Sequence, residues 1–189
     1  MKAAFIIFNQ MTALDLIGAY DPLTRLKSMK ILPDFQWDFC SLTEEVSDDK
    51  GLRFFPDSVG RPLGDYDLIF VPGGYGTRSL QFDKTFIDWL KTASPVTLKV
   101  SVCTGALLMG AAGFLTGKRA TTHPTAFEEL QTYCKTVVDQ RVVDEGEVIT
   151  GRGVSASIDL GLHLVMRLAG ISARNSIAKQ MDYPYTHDN

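Results

Sequence analysis

The chain has 189 residues, 45% of them hydrophobic and 22% charged, with a formal net charge of −3, the profile of a single soluble domain over residues 1–189 whose core needs no disulfide support. That mild acidic balance argues against a general electrostatic grip on nucleic acid or on an anionic membrane surface. Three cysteines, Cys40, Cys103 and Cys134, with no C-x-x-C spacing, suggest neither a disulfide framework nor a zinc knuckle and fit a reducing cytoplasm.

The opening run Met1-Lys-Ala-Ala-Phe-Ile-Ile-Phe8 stops at Asn9 with no small-residue cleavage site behind it, so it reads as a buried strand over Ala3–Phe8 rather than as a signal peptide. Leu14, Ile17, Leu23 and Leu26 then form an apolar stripe at helical spacing, and Pro22 is expected to kink or restart that helix. Phe35–Cys40 is the next strand-like run. Thr43–Lys50, followed by Gly51, reads as a turn region. A strand at Leu68–Val71 precedes a short amphipathic helix over Asp83–Leu90, with Phe86 and Trp89 on its apolar side. Another strand spans Val96–Val102, and Gly105-Ala-Leu-Leu-Met-Gly-Ala-Ala112 reads as a closely packed helix. Thr125-Ala-Phe-Glu128, directly after Pro124, has the spacing of a capping box. Val142–Asp144 and Glu147–Thr150 flank Glu145-Gly146 as a hairpin. Ile158, Leu162, Val165 and Met166 mark a long apolar helix face, and a final helix is expected from about Arg174 to Met181. No segment approaches the roughly 20 apolar residues of a membrane span. The alternation of strand and helix predicts an α/β chain: a three-layer α/β/α sandwich around a mostly parallel sheet.

In a parallel sheet the loops after the strands meet along one edge, which gathers three separate segments. The first leads to Asp15, the second is Pro72-Gly-Gly-Tyr-Gly76, and the third is Cys103-Thr104 at the turn between a strand and a helix. A nucleophile on such a turn is held at the carboxyl end of the sheet beside the positive end of the following helix, a setting expected to lower a thiol pKa. The bland reading of Cys103 is a small buried hydrophobe; the elbow, and the N–H and hydroxyl that Thr104 can donate, favour a reactive thiol. Gly73 and Gly74 let the backbone approach a ligand as an oxyanion hole requires, although the same glycines suit a tight turn or a phosphate cradle. Asp15 is either an ordinary acid near a helix start or a carboxyl in an apolar pocket, kept protonated by desolvation. Tyr75 and His123 are possible site-lining residues. His163 reads as a core or interface residue and His187 carries no signal. No ligand pattern suggests a metal.

Taken together, Leu14-Asp-Leu-Ile-Gly18, Asp67-Leu-Ile-Phe-Val-Pro-Gly-Gly74, Val102-Cys-Thr-Gly105, Gly110-Ala-Ala-Gly-Phe-Leu-Thr-Gly117, Ala120-Thr-Thr-His123 and Ser155-Ala-Ser-Ile-Asp-Leu-Gly161 resemble the ThiJ/PfpI superfamily over nearly the whole chain. The resemblance implies a fold like that of the class I glutamine amidotransferases, flavodoxin-like, with a cysteine nucleophile elbow. Within the superfamily the chain looks most like isocyanide hydratases. That implies Cys103 as the attacking thiolate, Asp15 as its acid/base partner and Thr104 as a site-ordering residue, with the N–H groups of Gly74 and Thr104 holding an anion. Ile17-Gly18-Ala19 stands where many such enzymes have a Thr-Gly-Pro-like turn, a departure that bears on pocket shape. Thr104 occupies the position that the protease-like branch gives to histidine, so a Cys-His peptidase is not expected. With the chain ending at Asn189, no DNA-binding module and no regulator role is expected either. The resulting expectation is a hydro-lyase that adds water to an isocyanide with no cofactor, acting on a small molecule as a homodimer in the cytoplasm. A redox sensor working through oxidation of Cys103, or an amidase- or deglycase-type hydrolase, is the alternative.

Overall fold

The computed structural model describes residues 1–184, and His187 lies outside the described residues. In chain order its strands are β1 (Lys2–Ile6), β2 (Gln36–Ser41), β3 (Val46–Ser47), β4 (Arg53–Phe54), β5 (Ser58–Val59), β6 (Leu68–Val71), β7 (Leu98–Val102), β8 (Arg119–Ala120), β9 (Thr136–Val137), β10 (Val142–Asp144) and β11 (Val148–Gly151). The helices are α1 (Ala13–Ser28), α2 (Thr77–Leu80), α3 (Lys84–Lys91), α4 (Gly105–Ala111), α5 (Phe127–Leu130) and α6 (Ala156–Gln180). Seven strands form one sheet in the order β10-β11-β7-β6-β1-β2-β5. Every pair is parallel except the β10–β11 hairpin, which turns on Gly146 at φ 84. The inner strands β6 and β7 are buried along their whole length and β1 beyond Lys2, because helices flank the sheet on both faces and leave these strands no solvent side. The architecture is therefore the α/β/α sandwich that the alternation of elements predicts.

Helix α1 corrects one expectation: it runs unbroken through Pro22. The residue four before the proline, where its ring would crowd the preceding turn, is Gly18, and the proline ring packs outward against Gly161 of α6. Here α1 and α6 touch through small residues. A Cβ on Gly161 would lie 2.9 Å from Ala19 Cα and 3.1 Å from Ala19 O, and closer still to Pro22 Cγ. Gly161→Ala is thus expected to wedge the helices apart and destabilise the fold by about 1–3 kcal/mol, to be read as a lowered melting temperature.

Two further elements differ from expectation. Thr125 does not cap a helix; a 3₁₀ turn over Pro124–Ala126 comes first, and the ring of His123 accepts the Thr125 N–H. Helix α6 is interrupted at Gly170 (φ 85, ψ 171), so the final helical segment begins just after it, earlier than Arg174. At 25 residues α6 is long and apolar enough to span a bilayer by length and composition alone, which the sequence reading did not anticipate. Its apolar side, including Leu160, Leu162, Leu164 and Val165, is instead consumed in the core. His163 sits where α6 meets the hairpin: its Nε2 is 2.7 Å from Asp144 Oδ2, which Arg167 also engages at 2.5 Å.

Candidate functional site

The carboxyl ends of β1, β6 and β7 bring Asp15, the glycine loop and Cys103 together. Cys103 follows β7 directly and has φ 54, a left-handed conformation that costs a non-glycine residue about 1–3 kcal/mol. Its N–H donates to both Gly151 O (3.0 Å) and Arg152 O (2.8 Å), and its carbonyl accepts the Thr122 hydroxyl at 2.7 Å. These three bonds hold the strained elbow in place. Gly105 is required immediately afterwards, since a Cβ there would strike the carbonyls of Val71 and Pro72.

Asp15 stands in the first turn of α1 with no solvent exposure. Its Oδ2 accepts the Gly73 N–H at 3.0 Å. Oδ1 makes no bond of ordinary length among the described residues, and the Cys103 side chain is the polar side chain with which this carboxyl interacts across the site. Gly73 is wedged between the two: a Cβ there would lie 2.8 Å from both Asp15 Oδ2 and Cys103 Cβ, so only glycine lets them share this space. Burial pushes the Asp15 carboxyl up to about 7 against the pull of the Gly73 N–H and the thiol, and the nearby charge of Asp49 adds to the rise. The thiol is also pushed up, to about 12, first by burial and then by the charge on Asp15, while the Thr104 N–H works the other way. The expected lowering of the thiol pKa is corrected accordingly. Desolvation and a carboxylate neighbour outweigh the start of a short helix, and the Cys103–Asp15 pair as a whole carries one negative charge above about neutral pH.

Thr104 and the glycine loop lock each other. The Thr104 hydroxyl accepts the Gly74 N–H at 3.0 Å and lies 3.1 Å from Gly74 O, to which it can donate. Gly74 itself has φ 127, and a Cβ there would collide with the chain at Gln10–Thr12. The anion-holding role expected for Gly73 and Gly74 is therefore not what their N–H groups do in this structure. One is spent on Asp15 and the other on Thr104, so the loop orders the acid and the elbow. Among the described residues the Thr104 N–H, directed at the Cys103 sulfur, and the Tyr75 N–H have no carbonyl or carboxylate acceptor.

Above the thiol opens a cavity of about 550 Å³ whose floor includes Gly74, Cys103 and Thr104. Its walls are Thr12, Ala13 and Leu14 at the start of α1, Asp48, Asp49, Lys50 and Leu52 from the β3–β4 turn, Tyr75 and Arg78, His123 with Thr125, and Val154. Tyr75 stands at the mouth, 76% exposed. His123 accepts the Thr125 N–H at Nδ1 (3.3 Å) and meets the Thr125 hydroxyl there at 2.8 Å, which places the proton of the neutral ring on Nε2. The structure thus brings all seven residues named from the sequence, Asp15, Gly73, Gly74, Tyr75, Cys103, Thr104 and His123, to one place. It adds Asp48, Asp49, Lys50, Leu52, Arg78 and Val154, none of which the sequence reading singled out. The Asp-Asp-Lys run beside Gly51 carries the composition of a solvated turn, and nothing in its spacing ties it to Cys103. Among the described residues no group of three His, Cys, Asp or Glu side chains could hold a metal ion.

Comparison with known proteins gives the family. The model of the DJ-1/PfpI family matches residues 1–167. An isonitrile hydratase of Pseudomonas putida is 35% identical over 97% of this chain and 78% of its own length. A glutathione-independent glyoxalase of Caenorhabditis elegans is 29% identical over 75% of this chain and 77% of its own length. The crystal structure of a ThiJ/PfpI family protein from Pseudomonas syringae superposes with a TM-score of 0.88 at 26% identity, covering 100% of this chain and 78% of that one. The chain belongs to the DJ-1/PfpI family.

Proposed function

We propose that this DJ-1/PfpI protein is a cysteine-dependent hydro-lyase that adds water to an isocyanide and releases an N-substituted formamide. The observation that carries the reading is the fully buried Asp15, its carboxyl held up near neutral pH beside a thiol on a strained elbow. A generic reactive cysteine needs no such acid. In the proposed reaction the one proton of the pair passes from the thiol to the Asp15 carboxylate as Cys103 Sγ attacks the terminal isocyanide carbon, and the electron pair left on that carbon takes the proton from Asp15, giving a thioimidate. Water then adds to the same carbon while the Asp15 carboxylate accepts one of its protons and passes it to the nitrogen; the C–S bond breaks, the thiolate leaves as the formamide C=O forms, and the hydroxyl proton released returns to Asp15. Isocyanide and water enter, formamide leaves, and no electrons are gained or lost. Thr104 orders the elbow, and its N–H, directed at the Cys103 sulfur, steadies negative charge there.

The P. putida relative supports the substrate class by its name and its coverage of the chain. The redox-sensor alternative draws less support from the geometry, because oxidation of the thiol gives no necessary role to the buried Asp15 carboxyl or to the cavity above Cys103. The test is direct: purified protein is incubated with a simple alkyl isocyanide and the formamide proton is followed by NMR. Turnover that disappears in a Cys103 variant is the expected result, and no formamide from any of several isocyanides overturns the reading.

A homodimer is part of the same proposal. Leu14 and Ile17, one turn apart on α1, are 50% and 41% exposed, an apolar strip beside the cavity that a second copy would cover. Sedimentation at micromolar concentration should show a dimer; a monomer alone would count against it.

A further inference from the structure

From the β3–β4 turn, we propose that Asp49, balanced by Lys50, is a positioning residue that sets the protonation of the Cys103–Asp15 pair. The inference deepens the hydratase reading, which needs a proton on Asp15, and to that extent rests on it.

Three observations place Asp49 in this role. It lines the cavity that holds Cys103, and its side chain is only 13% exposed, so its carboxylate is poorly screened by water. Its turn is fastened to the segment that carries Asp15: the Asp49 N–H donates to Met11 O at 3.1 Å, and the Gln10 N–H donates to Ser47 O at 2.8 Å. Gln10 is itself held at φ 62, and its carbonyl accepts the Gly76 N–H at 3.1 Å, so backbone hydrogen bonds tie together the turn, the α1 entry and the glycine loop. Finally, Lys50 Nζ reaches both carboxylate oxygens of Asp49 at 2.8 Å while remaining 73% exposed. A half-buried carboxylate is thus offset by a cation that solvent can reach.

The other charged groups around the pair do not duplicate this arrangement. Asp48 lines the same wall, but its Oδ1 is spent on the N–H groups of Lys50 (2.9 Å) and Leu52 (2.7 Å) and holds the turn together. Arg78 is paired with Glu129 at 3.2 Å. His123 is tied to Thr125 on the far wall. The acid meets Cys103 from the elbow after β7 and the Gly73 N–H from the glycine loop, and the charge of Asp49 reaches it from the turn. Asp49 supplies the negative charge that disfavours losing the Asp15 proton, in line with the raised carboxyl. Lys50 moderates it.

The experiment follows the rate of Cys103 alkylation by iodoacetamide against pH, read on the Cys103 peptide by mass spectrometry, in the unmodified chain, Asp49→Asn and Lys50→Gln. The lower step of that profile reports the first ionisation of the pair. Asp49→Asn should move it down by about half a pH unit or more, and Lys50→Gln, which unmasks Asp49, should move it up. Steps that stay put, or that move in the same direction, overturn the proposal. Should Asp49→Asn fail to fold by circular dichroism, the direction of the Lys50→Gln shift decides alone. Alkylation does not depend on the substrate. Opposed shifts without isocyanide turnover would sink the hydratase reading only, whereas turnover with unmoved profiles would sink this inference only.

Discussion

Cys103→Ser is expected to abolish formamide production, lowering turnover by about 10³-fold or more, while leaving the fold intact. The hydroxyl is nearly isosteric with the thiol and keeps the elbow, whose geometry depends on backbone groups: the Cys103 N–H to Gly151 O and Arg152 O, and the Thr122 hydroxyl to the Cys103 carbonyl. What changes is the nucleophile. A serine alkoxide is far less accessible than a thiolate near neutral pH, and the site offers a carboxyl but no imidazole in hydrogen-bonding contact to deprotonate it. The His123 ring is engaged with Thr125. Formamide assays with matched circular dichroism spectra check both halves. Near-normal turnover in Cys103→Ser would mean that the thiol makes no covalent intermediate, and the proposed mechanism would fail at its first step.

Much of this site was legible because its residues sit at positions where local chemistry announces itself. The buried strands β6 and β7 are continuous apolar runs, and parallel pairing then places the loops behind them side by side; Gly73, Gly74, Cys103 and Thr104 follow from that step. The positive φ of Cys103 is what a strand-to-helix elbow demands. What was not legible depended on contacts distant along the chain. Pro22 reads as a helix breaker until Gly161, far along the sequence, supplies the space against which its ring packs. Thr125 and Glu128 have capping-box spacing, but the His123 ring takes the Thr125 N–H first. The raised thiol pKa has the same origin. The helix start is visible in the sequence, whereas the depth of burial and the direct approach of Asp15 belong to the folded chain. Asp48–Lys50 reads as solvated polar turn, and only the tethers to Met11 and Gln10 bring it over the thiol.

Asp15→Asn should separate the acid's chemistry from its cost. The amide keeps the size of the side chain and can still accept the Gly73 N–H, now at 3.0 Å on Oδ2, yet it cannot pass a proton to the attacked carbon. Turnover is expected to fall by roughly 10²-fold or more, with Cys103 still alkylatable. Stability should move the other way. Burial raises the Asp15 carboxyl from its ordinary 3.8 to about 7, so between those values the folded chain holds a proton that the unfolded chain has released. Stability therefore declines as pH rises from about 4 to about 7, at about 1.4 kcal/mol per pH unit, and levels off above, for a total on the order of 4 kcal/mol. Asn has no proton to lose, so the variant should melt at a higher temperature than the unmodified chain at pH 8, and the difference should shrink towards pH 4. Melting curves across that range check the sign. A variant that is both active and no more stable at pH 8 would make Asp15 an ordinary acid at a helix start; an inactive variant whose stability advantage fades with acid is the signature of a carboxyl kept buried for its proton.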